Sequence, residues 1–228
     1  MKKTLVIGMT GASGSIYALR LLEVVTAAGF DVHLSLTPAA QQVLEQELEI
    51  HVDLDNFDVT QLLLGEVASA SDSKLRMMRD KAGISTSDSN VLAFESGEPG
   101  EVKYFKYDDY HAPAASGSFL TTGMVICPCS TGTLASVVNS LSNNLIQRAA
   151  QVHLKENRRL ILVPRETPLS TLQLECMWRA SQAGATVLPA SPGFYHGVTT
   201  IQDLVDFVVG RICDQLGIEH TLIRRWGS

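Results

Sequence analysis

The sequence has no surplus of positive charge. Its 18 Lys and Arg residues stand against 24 Asp and Glu residues, which gives a formal net charge of -6. This balance argues against an extended nucleic-acid-binding surface, because contacts with a phosphate backbone require clustered Lys and Arg. An anionic ligand therefore has to be held by a few local groups.

Cysteines and long apolar runs are also scarce. Four cysteines in 228 residues do not form a disulfide framework. Cys127 and Cys129 have no second pair of metal-ligating residues nearby in sequence, so burial as small apolar residues is the default. No apolar run approaches the roughly twenty residues of a membrane span, and the Met-Lys-Lys start leads into an apolar strand. We expect a cytoplasmic protein without a metal ion or a membrane span.

What the sequence does contain first is an apolar run followed by a glycine-rich turn. Leu5–Ile7 predicts a strand buried on both faces, and apolar residues recur at helical spacing from Ile16 onward. Between them, Gly11, Ala12 and Ser13 form a tight turn. Backbone N–H groups at a helix N-terminus attract anions, so we expect a phosphate at this turn.

The glycine spacing of this turn bears on which nucleotide it suits. Gly8, Gly11 and Gly14 do not give the G-x-G-x-x-G pattern of dinucleotide folds. The second predicted strand, Val32–Leu36, is followed by Thr37 rather than by an acid that could bind a ribose hydroxyl. A mononucleotide such as FMN therefore fits better than NAD. Close packing of strand and helix, without any ligand, also accounts for such a turn.

The same unit of strand, polar turn and helix recurs further along. The predicted strand Met124–Cys127 leads into a hydroxyl-rich turn at Ser130–Thr133, and Leu160–Val163 leads into Arg165 and Glu166. This alternation predicts an α/β fold, a three-layer doubly wound parallel sheet of the Rossmann or flavodoxin kind. Parallel strands present their carboxyl ends at one crevice, so Arg165 and Glu166 have the strongest catalytic position.

Helical patterns complete this outline. Asn144–Glu156 places Arg148 and Lys155 two turns apart on one helix face, within reach of one anion, although a solvated basic stripe accounts for them better without other evidence. Thr167-Pro168 predicts the cap and first turn of a helix, and Ile201–Leu216 predicts another.

One stretch breaks the regular pattern. Residues at about 66–101 are rich in serine and scattered charge and include a Gly-Glu-Pro-Gly turn. We interpret them as a surface excursion of a single domain spanning 1–228, and not as a second domain.

Seven strings, in order, resemble the UbiX family of flavin prenyltransferases. They are TGASG at Thr10–Gly14, APAASGS at Ala112–Ser118, CPCSTGTLA at Cys127–Ala135, NNLIQRAAQVHLKE at Asn143–Glu156, LVPRETPL at Leu162–Leu169, LPASPGFYH at Leu188–His196 and RWG at Arg225–Gly227. The resemblance implies an enzyme that joins the dimethylallyl group of dimethylallyl phosphate to N5 and C6 of reduced FMN without a metal. It also implies a dodecamer with sites between subunits, and a product, prenylated FMN, used by UbiD-type decarboxylases such as that of ubiquinone biosynthesis.

The resemblance further implies roles for individual residues. The positions that bind FMN are Gly11, Ala12, Ser13, Thr37, Ser130, Thr131, Gly132, Thr133 and Arg165. The positions that serve the allylic substrate are Arg148, Lys155, Tyr195, Arg211, Tyr110, Ser116 and Trp226. Glu166 matches an acid implicated in proton transfer, Glu47 matches a second acid near the flavin, and Ser13 matches a hydroxyl close to N5.

Two other functions remain open at this point. An FMN-dependent cysteine decarboxylase of related architecture has less reason to bring Arg148, Lys155 and Arg211 together. A non-catalytic FMN carrier has no use for Glu166 between two ligand sites.

Overall fold

The computed structural model describes residues 3–63, 99–195, 197–223 and 225. The excursion predicted at about 66–101 lies outside the described residues, apart from residues 99–101. Trp226 lies outside them as well.

Strands and helices alternate along the described chain. The strands are β1 (Thr4–Met9), β2 (Asp31–Leu36), β3 (Val102–Tyr104), β4 (Gly123–Cys129), β5 (Leu160–Pro164) and β6 (Thr186–Val187). The helices are α1 (Ser15–Ala27), α2 (Pro38–Leu48), α3 (Thr60–Leu63), α4 (Thr131–Val138), α5 (Leu145–Lys155), α6 (Thr171–Gln182) and α7 (Ile201–Leu216), with a short 3-10 turn at Pro113–Ala115.

The strands form one parallel sheet in the order β3-β2-β1-β4-β5-β6. This order is that of the Rossmann fold, in which the winding reverses between β1 and β4. The predicted doubly wound α/β class is confirmed, and the order selects the Rossmann arrangement. In such sheets, ligands bind in the crevice outside the carboxyl ends of the strands at the reversal point.

Alternate residues of the central strands supply two separate cores. Leu5 and Ile7 of β1 pack with α1, α2 and α7 on one face of the sheet, whereas Val6 packs with α4, α5 and α6 on the other. Each such side chain, fully buried, stabilises the fold by about 1.5–3 kcal/mol. The buried residues of α5 and α7 therefore lie on opposite faces of the sheet.

Most predicted helix boundaries agree with the structure. α7 begins after Thr200, whose hydroxyl accepts a hydrogen bond from the Asp203 backbone N–H, and ends at Gly217 with φ 73°. The start predicted at Thr167-Pro168 is wrong, since α6 begins three residues beyond Pro168. There, Ser170 and Gln173 form a capping box that satisfies the first N–H groups of the helix reciprocally.

Candidate functional site

Thr10 joins the two polar turns at the reversal point of the sheet. Its hydroxyl donates to the Pro128 carbonyl oxygen at 2.8 Å and accepts a hydrogen bond from the Ser130 backbone nitrogen at 2.7 Å. The Thr10 side chain is almost fully buried, so these bonds are shielded from water. The turn after β1 is thereby fixed beside the turn after β4.

The turn after β4 leaves a helix N-terminus open. Ser130 caps α4, because its hydroxyl accepts a hydrogen bond from the Thr133 backbone nitrogen at 3.3 Å. The N–H groups of Thr131 and Gly132 have no acceptor in the described part of the chain. A Cβ atom added at Gly132 would meet none of the described atoms within 4 Å. An anion can therefore approach this backbone closely.

The N-terminus of α1, in contrast, is closed by the protein itself. The two carboxylate oxygens of Glu47 each lie 3.0 Å from the Gly14 backbone nitrogen, and one lies 2.9 Å from that of Ser15. A phosphate was expected here from the sequence. That expectation needs correction for these two N–H groups, because the Glu47 carboxylate already supplies the negative charge. Glu47 is accordingly not a solvated surface acid.

A cavity of about 560 Å³ lies beside this capped helix end. Its lining residues are Ser13, Gly14, Ile16, Tyr17, Val43, Gln46, Glu47, Leu48, Arg165 and Ala190. This volume lies within the range of small-molecule and cofactor sites. The structure thus brings Ser13, Glu47 and Arg165, which the sequence predicted as site residues, to one cavity.

Arg165 brings a buried and unsatisfied hydrogen-bond donor to the lining of this cavity. Its Nε atom is buried and has no hydrogen-bond partner among the described residues. A buried donor without a partner costs about 1–3 kcal/mol, and more when it is charged. An anionic or carbonyl acceptor bound in the cavity would satisfy it.

Tyr17 is a cavity residue that the sequence analysis missed. Burial raises the pKa of its phenol, the nearby Cys127 and Glu47 raise it further, and Arg165 opposes them. The phenol is therefore protonated at neutral pH and available as a donor. Its place in the first turn of α1, directly after the glycine-rich turn, is the signal that points to it.

Glu166 and Cys129 differ sharply in exposure, because Cys129 is fully buried. Glu166 is exposed, and its carboxylate accepts a hydrogen bond at 3.1 Å from the Thr167 backbone nitrogen. Burial raises the pKa of Cys129 to about 12. A thiol that stays protonated at neutral pH is not a nucleophile.

The predicted glycine and hydroxyl positions on the other side of the crevice have structural partners. A Cβ atom at Gly11 would lie 2.4 Å from that of Ala39, so the turn needs glycine to pack against α2. The Thr37 hydroxyl caps α2 by accepting a hydrogen bond at 3.1 Å from the Ala40 backbone nitrogen. Ala12 lies between Gly11 and Ser13 in the same turn.

Arg148 and Lys155 lie on the α5 side of the sheet. The Arg148 Nε atom donates to the Ala115 carbonyl oxygen at 3.0 Å. The Lys155 Nζ atom lies 2.7 Å from a Glu156 carboxylate oxygen. Both lie beside the small-residue loop that contains Ser116, whose hydroxyl lies 2.9 Å from that of Ser118. Two of the three predicted phosphate-binding cations, Arg148 and Lys155, are therefore close to the same loop within one chain.

Arg211 lies on the opposite side of the sheet. It belongs to α7, where its Nη1 atom lies 2.6 Å from a carboxylate oxygen of Asp214. Because α7 and α5 pack on opposite faces of the sheet, Arg211 lies on the other face from Arg148 and Lys155 within one chain.

The two predicted tyrosines are both substantially exposed. The Tyr195 ring is 62 % exposed and lies edge-on to Phe207 at 5.7 Å. The Tyr110 hydroxyl donates to the Ser142 carbonyl oxygen at 2.9 Å. Neither residue lines the cavity beside Arg165.

The described residues contain neither a cluster of metal-binding side chains nor a membrane-spanning helix. No group of three or more His, Cys, Asp or Glu side chains in the described ranges is placed to hold a metal ion. Among the described helices, none is both long and apolar enough to cross a membrane.

The fold and the cavity define a Rossmann-like α/β protein with a ligand-binding crevice at the reversal of its sheet. Residues 1–213 match the family model described as Flavoprotein. The flavin prenyltransferase UbiX of Halalkalibacterium halodurans is 43 % identical over 97 % of this chain and 92 % of its own length. The flavin prenyltransferase UbiX of Pseudomonas aeruginosa is 41 % identical over 97 % and 93 %.

Solved structures agree with these relatives. AnUbiX (PadA1), in complex with FMN and dimethylallyl pyrophosphate, is 29 % identical, with a TM-score of 0.74 and coverage of 100 % of this chain and 99 % of that one. A dodecameric FMN-dependent UbiX-like decarboxylase from Escherichia coli O157:H7 is 33 % identical, with a TM-score of 0.72 and coverage of 99 % and 100 %. The chain belongs to the flavoprotein family and, within it, to the UbiX flavin prenyltransferases.

Proposed function

We propose that this protein is a flavin prenyltransferase that joins the dimethylallyl group of dimethylallyl phosphate to N5 and C6 of reduced FMN. The bond between the allylic carbon and the phosphate oxygen breaks, and inorganic phosphate leaves with the electron pair. The observation that carries the proposal is the buried Nε atom of Arg165, which has no hydrogen-bond partner among the described residues and belongs to the lining of a cavity of about 560 Å³ at the reversal point of the sheet.

The residues of the crevice fit FMN. The unsatisfied Arg165 and the open N-terminus of α4 are donors suited to an anionic cofactor. We assign FMN binding to the turns at Gly11–Ser13 and Ser130–Thr133, to Thr37 and to Arg165. When bound, reduced FMN supplies the electron-rich ring atoms that accept the five-carbon group. Glu166 moves a proton, Glu47 holds the turn before α1 through the N–H groups of Gly14 and Ser15, and we assign to Ser13 the hydroxyl close to the flavin N5.

We assign the allylic phosphate to Arg148, Lys155, Arg211 and Tyr195. Cations around a leaving phosphate stabilise the charge that develops as its bond to carbon breaks. Because the sheet divides α5 from α7, Arg211 meets the other two cations only if it comes from another copy of the chain. Tyr110, Ser116 and Trp226 contribute contacts to the alkyl group in the same assembly.

The wider setting follows from the reaction. Prenylated FMN is a product that serves another enzyme as its cofactor. We assign that role to a UbiD-type decarboxylase that acts in ubiquinone biosynthesis or on aromatic acids. One flavin-binding domain, residues 1–228, carries the reaction in the cytoplasm without a metal. A dodecamer is supported by the E. coli relative, which is itself described as dodecameric.

The direct test combines the protein with reduced FMN and dimethylallyl phosphate in the absence of metal, followed by mass spectrometry. We expect an adduct heavier than FMN by one five-carbon group. Binding of FMN without an adduct would favour a carrier, and oxidative decarboxylation of a peptide with a C-terminal cysteine would favour the cysteine decarboxylase. Arg165→Ala should weaken FMN binding at least about tenfold, whereas Lys103→Ala, at the sheet edge, should leave it unchanged.

A further inference from the structure

Asp214, in the last turn of α7, is the centre of a cluster of polar side chains. Its Oδ2 atom lies 2.6 Å from the Nη1 atom of Arg211, and its Oδ1 atom accepts hydrogen bonds from Arg225 at 2.7 Å and from His220 at 3.0 Å. We call these four residues the Asp214 cluster. Two arginines beside one carboxylate leave this cluster with a surplus of positive charge.

His220 fixes the carboxylate from the buried side of the cluster. Its side chain is 1 % exposed, and its Nδ1 atom accepts a hydrogen bond from the Leu222 backbone nitrogen at 3.3 Å. Because Nδ1 is an acceptor, the hydrogen of the neutral ring is on Nε2, which donates to Asp214. Gly210 makes room for this ring, since a Cβ atom there would lie 2.9 Å from the His220 Cε1 atom. The close approach of His220 therefore accounts for a glycine inside α7, where alanine would favour the helix more.

Asp214 and Arg211 differ in how far their hydrogen bonds are used. Burial alone would raise the pKa of Asp214, but the hydrogen bonds from Arg225 and His220 outweigh burial and hold the pKa below its ordinary value. The carboxylate is therefore ionised and anchored. The Arg211 side chain is 45 % exposed, and Nη1 is its one atom with a hydrogen-bond partner among the described residues. Its Nε and Nη2 donors remain available, and such a guanidinium fork suits a phosphate.

We propose that Asp214 is a positioning residue that holds the Arg211 guanidinium in the orientation in which its remaining donors bind the allylic phosphate. This inference rests on the proposed function, which assigns that phosphate to Arg211. A guanidinium that is already fixed loses less side-chain freedom when the ligand binds. Arg225 offsets the charge of the Asp214 carboxylate, so the charge of Arg211 is left for the phosphate.

The test measures binding of FMN, and then binding of dimethylallyl phosphate to the FMN-loaded protein, by calorimetry. Asp214→Ala should raise the dissociation constant of dimethylallyl phosphate about five- to tenfold, because Arg211 keeps its charge but loses its fixed orientation. The dissociation constant of FMN should be unchanged. Asp214→Asn, which keeps one acceptor oxygen, should have a smaller effect. Asp55→Ala, which breaks the exposed 2.7 Å ion pair between Asp55 and Lys106, is the matched control and should change neither constant.

A double variant shows whether Asp214 acts through Arg211. In the Arg211→Ala background, Asp214→Ala should cause no further loss of affinity for dimethylallyl phosphate, whereas a merely structural role would add its loss to that of Arg211→Ala. Melting curves check that each variant is folded.

Additive losses in the double variant, or an equal loss of FMN affinity in Asp214→Ala, would overturn the proposal. Tighter binding of dimethylallyl phosphate by Asp214→Ala would also overturn it, because the carboxylate would then compete with the phosphate. Failure of the proposed function gives a different result. In that case, the variants would differ in affinity as described, but wild type would form no five-carbon adduct of FMN.

Discussion

Both carboxylate oxygens of Glu47 lie 3.0 Å from the backbone nitrogen of Gly14, which precedes it by 33 residues. The carboxylate thereby neutralises the positive end of α1 from inside the protein. The nearby N-terminus of α4 has no such internal anion among the described residues. We therefore expect a ligand phosphate at the N-terminus of α4 and at Arg165, and not at the N–H groups of Gly14 and Ser15, which Glu47 already occupies.

This arrangement predicts the effect of Glu47→Ala. Loss of the capping carboxylate should lower the free energy of unfolding by about 0.5–2 kcal/mol, the usual range for a lost helix cap. The N–H groups of Gly14 and Ser15 should then be free to donate hydrogen bonds to an anion from solution. Inorganic phosphate should raise the melting temperature of the variant more than that of wild type.

Glu47→Gln serves as the control for this measurement. Its side chain keeps the length and one acceptor oxygen, so it should retain part of the cap and respond less to phosphate. An equal response of wild type and Glu47→Ala to phosphate would show that α1 does not offer an anion site even when uncapped.

The local parts of the fold were predictable because their causes lie close together in sequence. Thr200 and Asp203, three residues apart, form the capping box that predicts the start of α7, and Gly217 predicts its end. Ser170 and Gln173 carry the same kind of signal for α6, but Thr167-Pro168 just before them also fits a helix start, which is why the predicted start lies too early.

The long-range parts of the site were not predictable in this way. The Glu47 carboxylate reaches Gly14 only once α2 has packed against α1. The separation of Arg211 from Lys155 depends on which face of the sheet each helix covers, and the winding of the sheet decides this. Spacing along one helix therefore grouped Arg148 with Lys155 correctly but gave no information on Arg211.

The division of cations between two helix layers leads to a complementation experiment. Lys155→Ala and Arg211→Ala should each weaken binding of dimethylallyl phosphate at a cost of about 1.5–3 kcal/mol, with little effect on FMN. If each phosphate site takes Lys155 from one copy and Arg211 from another, then subunits of the two variants mixed equally should regain about a quarter of the sites. Adduct formation by the mixture, compared with each variant alone, measures this.

The control for mixing is the double variant with Lys155→Ala and Arg211→Ala in one chain, mixed with itself. It should regain no activity. A mixture of the single variants that is no more active than either parent, after subunit exchange has been demonstrated by mass, would place both cations in one chain's site.

His153 gives the protein a dependence of stability on pH. Its Nδ1 atom lies 2.7 Å from the Ala149 carbonyl oxygen and its Nε2 atom 2.8 Å from the Thr121 hydroxyl, so the neutral ring donates to the carbonyl and accepts from the hydroxyl. Burial lowers the pKa of His153, Arg158 lowers it further, and the Ala149 carbonyl opposes them. The folded state therefore keeps the ring neutral at a pH where the unfolded chain protonates it.

The sign of the effect follows from this difference in bound protons. Stability should be full above about pH 6.5, the ordinary pKa of histidine, and should fall as the pH drops below it, by at most about 1.4 kcal/mol per pH unit for one proton. His153→Gln should reduce this slope between pH 5 and 7 in urea unfolding experiments. The remaining slope should include His33, whose pKa is lowered by burial and by Lys103. An unchanged slope in the variant would show that His153 does not contribute to the pH dependence of the free energy of unfolding.

Glu166→Gln should leave the fold and FMN affinity nearly intact while slowing adduct formation at least about a hundredfold, the scale of lost general acid–base catalysis. Glu166 is exposed and directly follows Arg165 after β5, and the Arg165 Nε atom has no hydrogen-bond partner among the described residues. Gln keeps the size and the hydrogen-bonding reach but removes the titratable proton. The change therefore separates proton transfer from positioning.

The competing interpretation of Glu166 is a structural one, in which its carboxylate caps the following helix or pairs with Arg165. The structure weakens both versions. Ser170 and Gln173 already cap α6, and within the described residues Glu166 forms no ion pair with Arg165. A structural glutamate would lose melting temperature and FMN affinity together with rate on mutation to Gln. Rapid mixing of the variant, loaded with reduced FMN, with dimethylallyl phosphate measures the rate directly, and an undiminished rate would end the catalytic assignment.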